Sequence, residues 1–190
     1  MTIHTSKEYD KKMKELILYV SQKCEGDSSF GATKLNKLLF FSDFMAYLNF
    51  GKSITGQEYQ CLEKGPAPKR LVPIREELMK SQEAVLRPNS YYGFPQERLI
   101  PLREPDLSEF SGEEIALVDF EIDHWREKSA KEISAESHKF IGWICAEELE
   151  VIPYETAFVG TRELTEEEFE FARNIPIEKL PKPVNEIITG

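Results

Sequence analysis

Met13, Leu16, Ile17 and Val20 recur at i, i+3, i+4 and i+7, which lines one face of an α-helix and predicts an amphipathic helix over residues 7–23. The stretch EGDSSFGA, with two glycines and polar turn formers, ends it. The next run, TKLNKLLFFSDF (33–44), has a different pattern. From Leu38 to Leu48 it is apolar on nearly every side, so it predicts a central helix. Thr33 is the expected N-cap, and the helix is expected to run to about Asn49 and stop near Gly51. Yet this segment carries Lys34, Lys37 and Asp43. Cations near the positive end of the helix dipole are mildly unfavourable, so an internal carboxylate or solvent reached along the side-chain stems should offset them. A buried, unpaired Asp43 would be costly, so it should have a partner.

Beyond Gly51 the pattern becomes mixed. Residues 58–63 read as a short strand, and Pro66 and Pro68 are expected to stop any strand there, since neither has an N–H. Leu71, Ile74, Leu78 and Met79 predict a helix entered through Pro68 and irregular at Pro73. EAVLRPNSYYGF and ERLIPL predict two short strands around a loop containing Pro, Asn and Gly. Ser111 and Glu114 form a capping box, with Phe110 and Ile115 as its hydrophobic staple. Leu164, Thr165, Glu168 and Phe169 repeat that arrangement. Ser134 is the expected start of a helix whose apolar face holds Phe140, Ile141, Ile144, Cys145 and Leu149. The expected fold is α+β and predominantly helical, with a small antiparallel sheet or hairpin inserted around residues 58–103. Residues 1–160 form one expected domain, and residues 161–190 an expected C-terminal helix and proline-containing tail.

The net charge of −10 and pI of about 5.0 weigh against sequence-independent nucleic-acid binding and suit a basic protein partner. A DNA-binding regulator built on the helix and hairpin as a winged helix is the alternative. It would need a local basic face from Lys64, Lys69, Arg70, Arg75 and Lys80. Candidate catalytic chemistry is sparse. Cys24, Cys61 and Cys145 make no CxxC pair and suit a reducing cytoplasm. His138 and Cys145 lie seven residues apart, so on one helix they would sit about 10 Å apart, beyond direct contact. The Asp123–His124 neighbours would point apart on a helix, and Gly31–Lys34 lacks phosphate-loop spacing. No cofactor, metal site or catalytic residue is expected. MTIHTSKEYDKK has no apolar segment of the secretory type, and no apolar run approaches the length of a membrane helix, so the expected location is the cytoplasm.

TKLNKLLFFSDF, GKSITGQEY and KGPAP, in that order, resemble the Panacea domain of the SocA-like antitoxins of bacteria and their phages. SAKEISAESHKFIGW and the apolar EVIPYE resemble that family's C-terminal pattern, and together the matches run from about Lys7 to Tyr154. Lys64 departs from the pattern, since an aromatic residue is common before the Gly-Pro. The resemblance implies a protein that binds and neutralises a cognate toxin without catalysis, and for at least one member an adaptor that presents the toxin to a cytoplasmic ATP-dependent protease. The candidate partner-binding residues are Lys34, Lys37, Asp43, Tyr59, Gly65, Pro66, His138 and Trp143. Competing structural roles are an ion pair for the lysines, a turn for Gly65 and Pro66, and packing for His138 and Trp143. Tyr59→Ala and Lys37→Glu are expected to weaken partner binding without unfolding the chain.

Overall fold

The computed structural model describes residues 6–159, with side chains from Tyr9 onward. The expected helix and tail beyond residue 160 lie outside the described residues. Helix α1 (Ser6–Lys23) buries Met13, Leu16, Ile17 and Val20 completely, as their spacing requires. Helix α2 (Ala32–Phe50) is the centre of the fold and touches α1, two later helices and parts of both sheets. Its all-round apolarity has a simple cause, because it separates two cores. Leu35, Leu38, Leu39 and Ala46 pack with α1, whereas Phe40 and Phe44 pack on the other side with Tyr59, Cys61 and Ile152.

The start of α2 differs from expectation. Gly31, not Thr33, is the N-cap, and no side chain caps this end. Thr33 lies in the first turn, its side chain exposed. At the other end the helix stops at Gly51, whose N–H donates to the Tyr47 carbonyl at 2.9 Å.

Strands β1 (Tyr59–Gln60) and β2 (Ala67–Pro68) pair antiparallel, and β1 also pairs with β5 (Val151–Ile152), giving the order β2-β1-β5. Pro68 therefore does not stop the strand. It sits in an outer strand, where a proline nitrogen can face away from the ladder. Pro73 likewise leaves α3 (Leu71–Lys80) regular, because it falls in the first turn, where the helix has no use for an N–H.

Strands β3 (Ala84–Tyr91) and β4 (Phe94–Pro101) form the expected hairpin, but its loop is tighter. Only Tyr92 and Gly93 turn the chain, at φ 49° and 81°, the double positive φ of a type I′ turn. Pro88 and Asn89 belong to β3, paired with Glu97 and Gln96. Counting outward from the Tyr91–Phe94 pair, which flanks the two-residue loop and is hydrogen-bonded, Pro88, Pro95 and Pro101 all fall at non-hydrogen-bonded pairs. Their nitrogens thus face the outer edges. No ladder bond is lost, and both edges of this two-stranded sheet are blunted against further strand pairing.

Helix α4 (Gly112–Trp125) starts with the capping box read from the sequence: the Ser111 hydroxyl accepts from Glu114 N, and Glu114 accepts from Ser111 N. Glu114 is also gripped by Lys12 at 2.9 Å, which ties α4 to α1. The linker before it is held by Arg103, which reaches Glu15 of α1 at 2.6 Å and Glu83 at the base of the hairpin.

Helix α5 (Ala130–Ser137) begins at Ser129, not Ser134, with its own capping box to Glu132. The chain breaks at His138–Phe140 and resumes as α6 (Ile141–Cys145). The single helix expected from Ser134 is therefore two. A 3-10 turn, Tyr154–Phe158, follows β5 and packs against α2. The fold is α+β and predominantly helical.

Candidate functional site

The three charges on α2 occupy three different environments. Lys34 is 1% exposed, and its Nζ donates to Asp27 Oδ2 at 2.5 Å and Ser29 Oγ at 2.9 Å. It also donates to the carbonyls of Lys128 at 2.6 Å and Arg126 at 3.2 Å. One ammonium thus joins the α1–α2 loop to the α4–α5 loop. Burial alone would raise the Asp27 carboxyl, but hydrogen bonds from Lys34 and Ser29 outweigh it and hold it below its ordinary value. Lys34 therefore has the internal carboxylate that its burial called for.

Lys37 does not. It is fully buried, its Nζ donates to the Pro66 carbonyl at 2.9 Å, and burial pushes its pKa down to about 7. The loop over it is KGPAP. Gly65 has φ +93° and is so close that a Cβ there would lie 2.6 Å from Lys37 Nζ, 2.7 Å from Ser137 Oγ and 3.0 Å from His138 Cδ2. Glycine is needed at this position twice over, for the backbone angle and for the approach. His138 stacks on Trp143 with ring centroids 4.3 Å apart, and Trp143 Nε1 donates to the Leu62 carbonyl at 2.9 Å. Ser134 Oγ donates to the Lys64 carbonyl at 3.2 Å. Lys37, Gly65, Pro66, His138 and Trp143, scattered over more than a hundred positions, converge where the α5–α6 junction clasps the Gly-Pro loop against α2.

Asp43 lies further along α2 and has no cation within salt-bridge distance among the described residues. Its carboxylate accepts from Thr55 N at 2.8 Å, Thr55 Oγ1 at 2.5 Å and Tyr59 Oη at 2.8 Å. Complete burial raises its pKa, against the hydrogen bonds from Thr55 and Tyr59 that favour the charged form. Burial and the Asp43 charge push the Tyr59 hydroxyl well above its ordinary value, so it remains a donor. Phe40, Phe44 and Tyr154 surround the Tyr59 ring. The partners are hydroxyls and an amide rather than a basic residue.

Lys34, Lys37, Asp43 and Tyr59 are each at most 1% exposed, so their side chains offer no atom to a partner in this conformation. Gly65 and Pro66 are buried too, while His138 and Trp143 are half-buried. The expectation that Tyr59→Ala or Lys37→Glu would leave the fold intact is therefore reversed, because both positions are interior.

What the surface offers instead went unnoticed in the sequence. Tyr92 and Phe94, at the tip of the β3–β4 hairpin, are 86% and 74% exposed, with Tyr91 and Pro95 beside them. The YYGFP run carried the signal, but it reads equally well as strand. The basic residues needed for a winged-helix DNA face are largely engaged. Lys69 pairs with Glu58, Arg70 with Asp10 and Arg75 with Glu97. His138 caps α5 while Cys145 ends α6, so the two do not share a helix. Among the described residues, no group of three or more His, Cys, Asp or Glu could hold a metal, and no helix is long and apolar enough to cross a membrane.

No curated protein and no solved structure matches the chain. The family described as "Antitoxin SocA-like, Panacea domain" matches residues 35–144, more than half of the sequence. The match begins within α2, covers both sheets except β5, and ends in α6, so it contains Lys37, Asp43, Tyr59, the Gly65-Pro66 loop, His138 and Trp143. The lysine clasp and the buried Asp43 network thus lie within the matched region, and the chain belongs to the SocA-like antitoxin family with its Panacea domain.

Proposed function

We propose that this chain is a cytoplasmic antitoxin that neutralises a cognate toxin by direct non-covalent binding, without catalysis or a cofactor. Family membership over residues 35–144 carries the reading. The geometry supports it in a specific way. Charged residues inside the domain are used to lock loops together, while the hairpin presents bulky aromatic side chains to solvent on blunted strands. Tyrosine and phenylalanine held on a rigid element give large contact area for little ordering entropy. The overall charge of −10 would speed encounter with a basic toxin.

Co-expression with the product of the adjacent gene tests this. That product alone should arrest growth, and this chain should restore it and co-purify with it. A Tyr92→Ser/Phe94→Ser variant should melt like the wild type but lose co-purification. A neighbouring product that is harmless alone, or that kills equally in the presence of this chain, defeats the proposal. Adaptor activity is a further part of it. It predicts that the toxin's half-life in cells shortens when this chain is present, and that deleting the protease restores it.

A further inference from the structure

Most of the described lysines and arginines have a carboxylate within salt-bridge distance, as expected in a chain with 34 acidic and 24 basic residues. Lys64 and Lys131 have none among the described residues, and both line one open cleft of about 470 Å³ with Thr33, Ser134 and His138. Lys64 comes from the Gly-Pro loop and Lys131 from α5, so the tertiary structure alone brings them together. At the cleft's inner side, His138 Nε2 is buried without a hydrogen-bond partner. Behind it, Lys37 Nζ lies against Gly65 and uses only the Pro66 carbonyl. The first turns of α2 and α5 both border the cleft, through Thr33 and through Ala130 and Lys131, and α2 lacks a side-chain cap. The α2 dipole adds positive potential, whereas the N-terminus of α5 is already met by the Glu132 carboxylate of its capping box. Glu63 is the acidic side chain in the lining, and Ala130 and Ala135 supply apolar wall.

We propose that this cleft is a carboxylate-recognition subsite that receives an acidic side chain from the bound protein partner. The inference rests on the protein-binding function proposed above. The two free ammonium groups can make charge-assisted hydrogen bonds to a carboxylate, with the His138 ring in the wall beside it. The alanines and the lysine stems fit the methylene groups that carry it. Placed on a strongly acidic protein, such a cationic island admits an acidic group only where a partner's shape delivers it, which favours specificity over general attraction.

The test uses the full chain and a capped pentaglutamate peptide, followed by NMR of the histidine side chains. The expected result is a saturable shift of the His138 resonances that weakens with salt. A Lys64→Glu/Lys131→Glu variant should bind more than about tenfold more weakly, while a Lys52→Glu/Lys80→Glu control, with the same charge change, should bind as the wild type does. Both variants alter exposed side chains and should keep the wild-type melting temperature. Absence of a saturable His138 shift, equal weakening in the control, or a shift that inorganic phosphate produces but the peptide does not would each overturn the proposal. No toxin is needed for this titration, so its outcome is independent of whether the chain neutralises one. If the cleft variant loses the peptide yet still neutralises fully, the assignment to the partner is overturned.

Discussion

Replacing Lys37 by Met is expected to stabilise the protein at pH 6 and to lose that advantage as the pH rises. In the folded chain, burial lowers the Lys37 pKa from 10.5 to about 7, with one neutral carbonyl as acceptor. At 1.36 kcal/mol per pH unit, this corresponds to about 5 kcal/mol of unfavourable free energy while the amine is charged in both states. Methionine is unbranched and apolar, fills a similar volume, and removes that penalty. Against this stands the Pro66 carbonyl, which loses its short hydrogen bond at a cost of about 1–3 kcal/mol. The net expectation is a gain of about 2–4 kcal/mol at pH 6.

The sign of the pH dependence follows from proton binding. Below pH 7 the amine is protonated whether folded or unfolded, so stability does not vary on its account. Between pH 7 and 10.5 the unfolded chain binds the extra proton, and wild-type stability rises by about 1.4 kcal/mol per pH unit relative to the variant. Urea titrations at pH 6, 7, 8 and 9, read from the fluorescence of Trp125 and Trp143 at constant ionic strength, should show the two proteins converging above pH 7. A difference that stays constant from pH 6 to 9 would refute the depressed Lys37 value. A variant less stable at pH 6 by several kcal/mol would show the amine to be a net stabiliser.

Three further outcomes follow from the same geometry. Tyr59→Phe keeps the aromatic packing but leaves Asp43 one donor short, and should cost about 1–3 kcal/mol in urea unfolding, whereas Tyr59→Ala also opens a cavity and should cost about 3–5 kcal/mol. Asp27→Asn removes the charged partner of buried Lys34 and should cost about 3 kcal/mol at pH 7. Because the folded Asp27 carboxyl lies below its ordinary value, its contribution is present above the ordinary carboxylate pKa and lost as pH falls through the folded one, so the variant and wild type should converge in acid melts. Ser111→Ala deletes the α4 cap and should lower stability by about 1 kcal/mol, with no effect on the Tyr92–Phe94 surface in a partner pull-down.

The features legible in the sequence are those that repeat within a few residues. Met13, Leu16, Ile17 and Val20 lie one turn apart, so their period alone predicted α1 and its buried face. The Ser111–Glu114 box satisfies backbone donors within a single turn, which is why four letters predicted the start of α4. The all-round apolarity of α2 announced a central helix, and the ordered motifs pointed to the family. Its charges announced a need for partners but could not name them, because Asp27 and the Lys128 carbonyl reach Lys34 through two separate loops, and Thr55 and Tyr59 reach Asp43 around a turn. The β2-β1-β5 sheet was equally hidden. Two-residue strands have no period, and β5 pairs with β1 across about ninety positions, a separation no local pattern spans. Whether a lysine is a surface contact or a buried latch depends on what covers it. For Lys37 that cover is a glycine whose missing Cβ lets the Gly-Pro loop close over the amine, a contact between distant segments that no local pattern encodes.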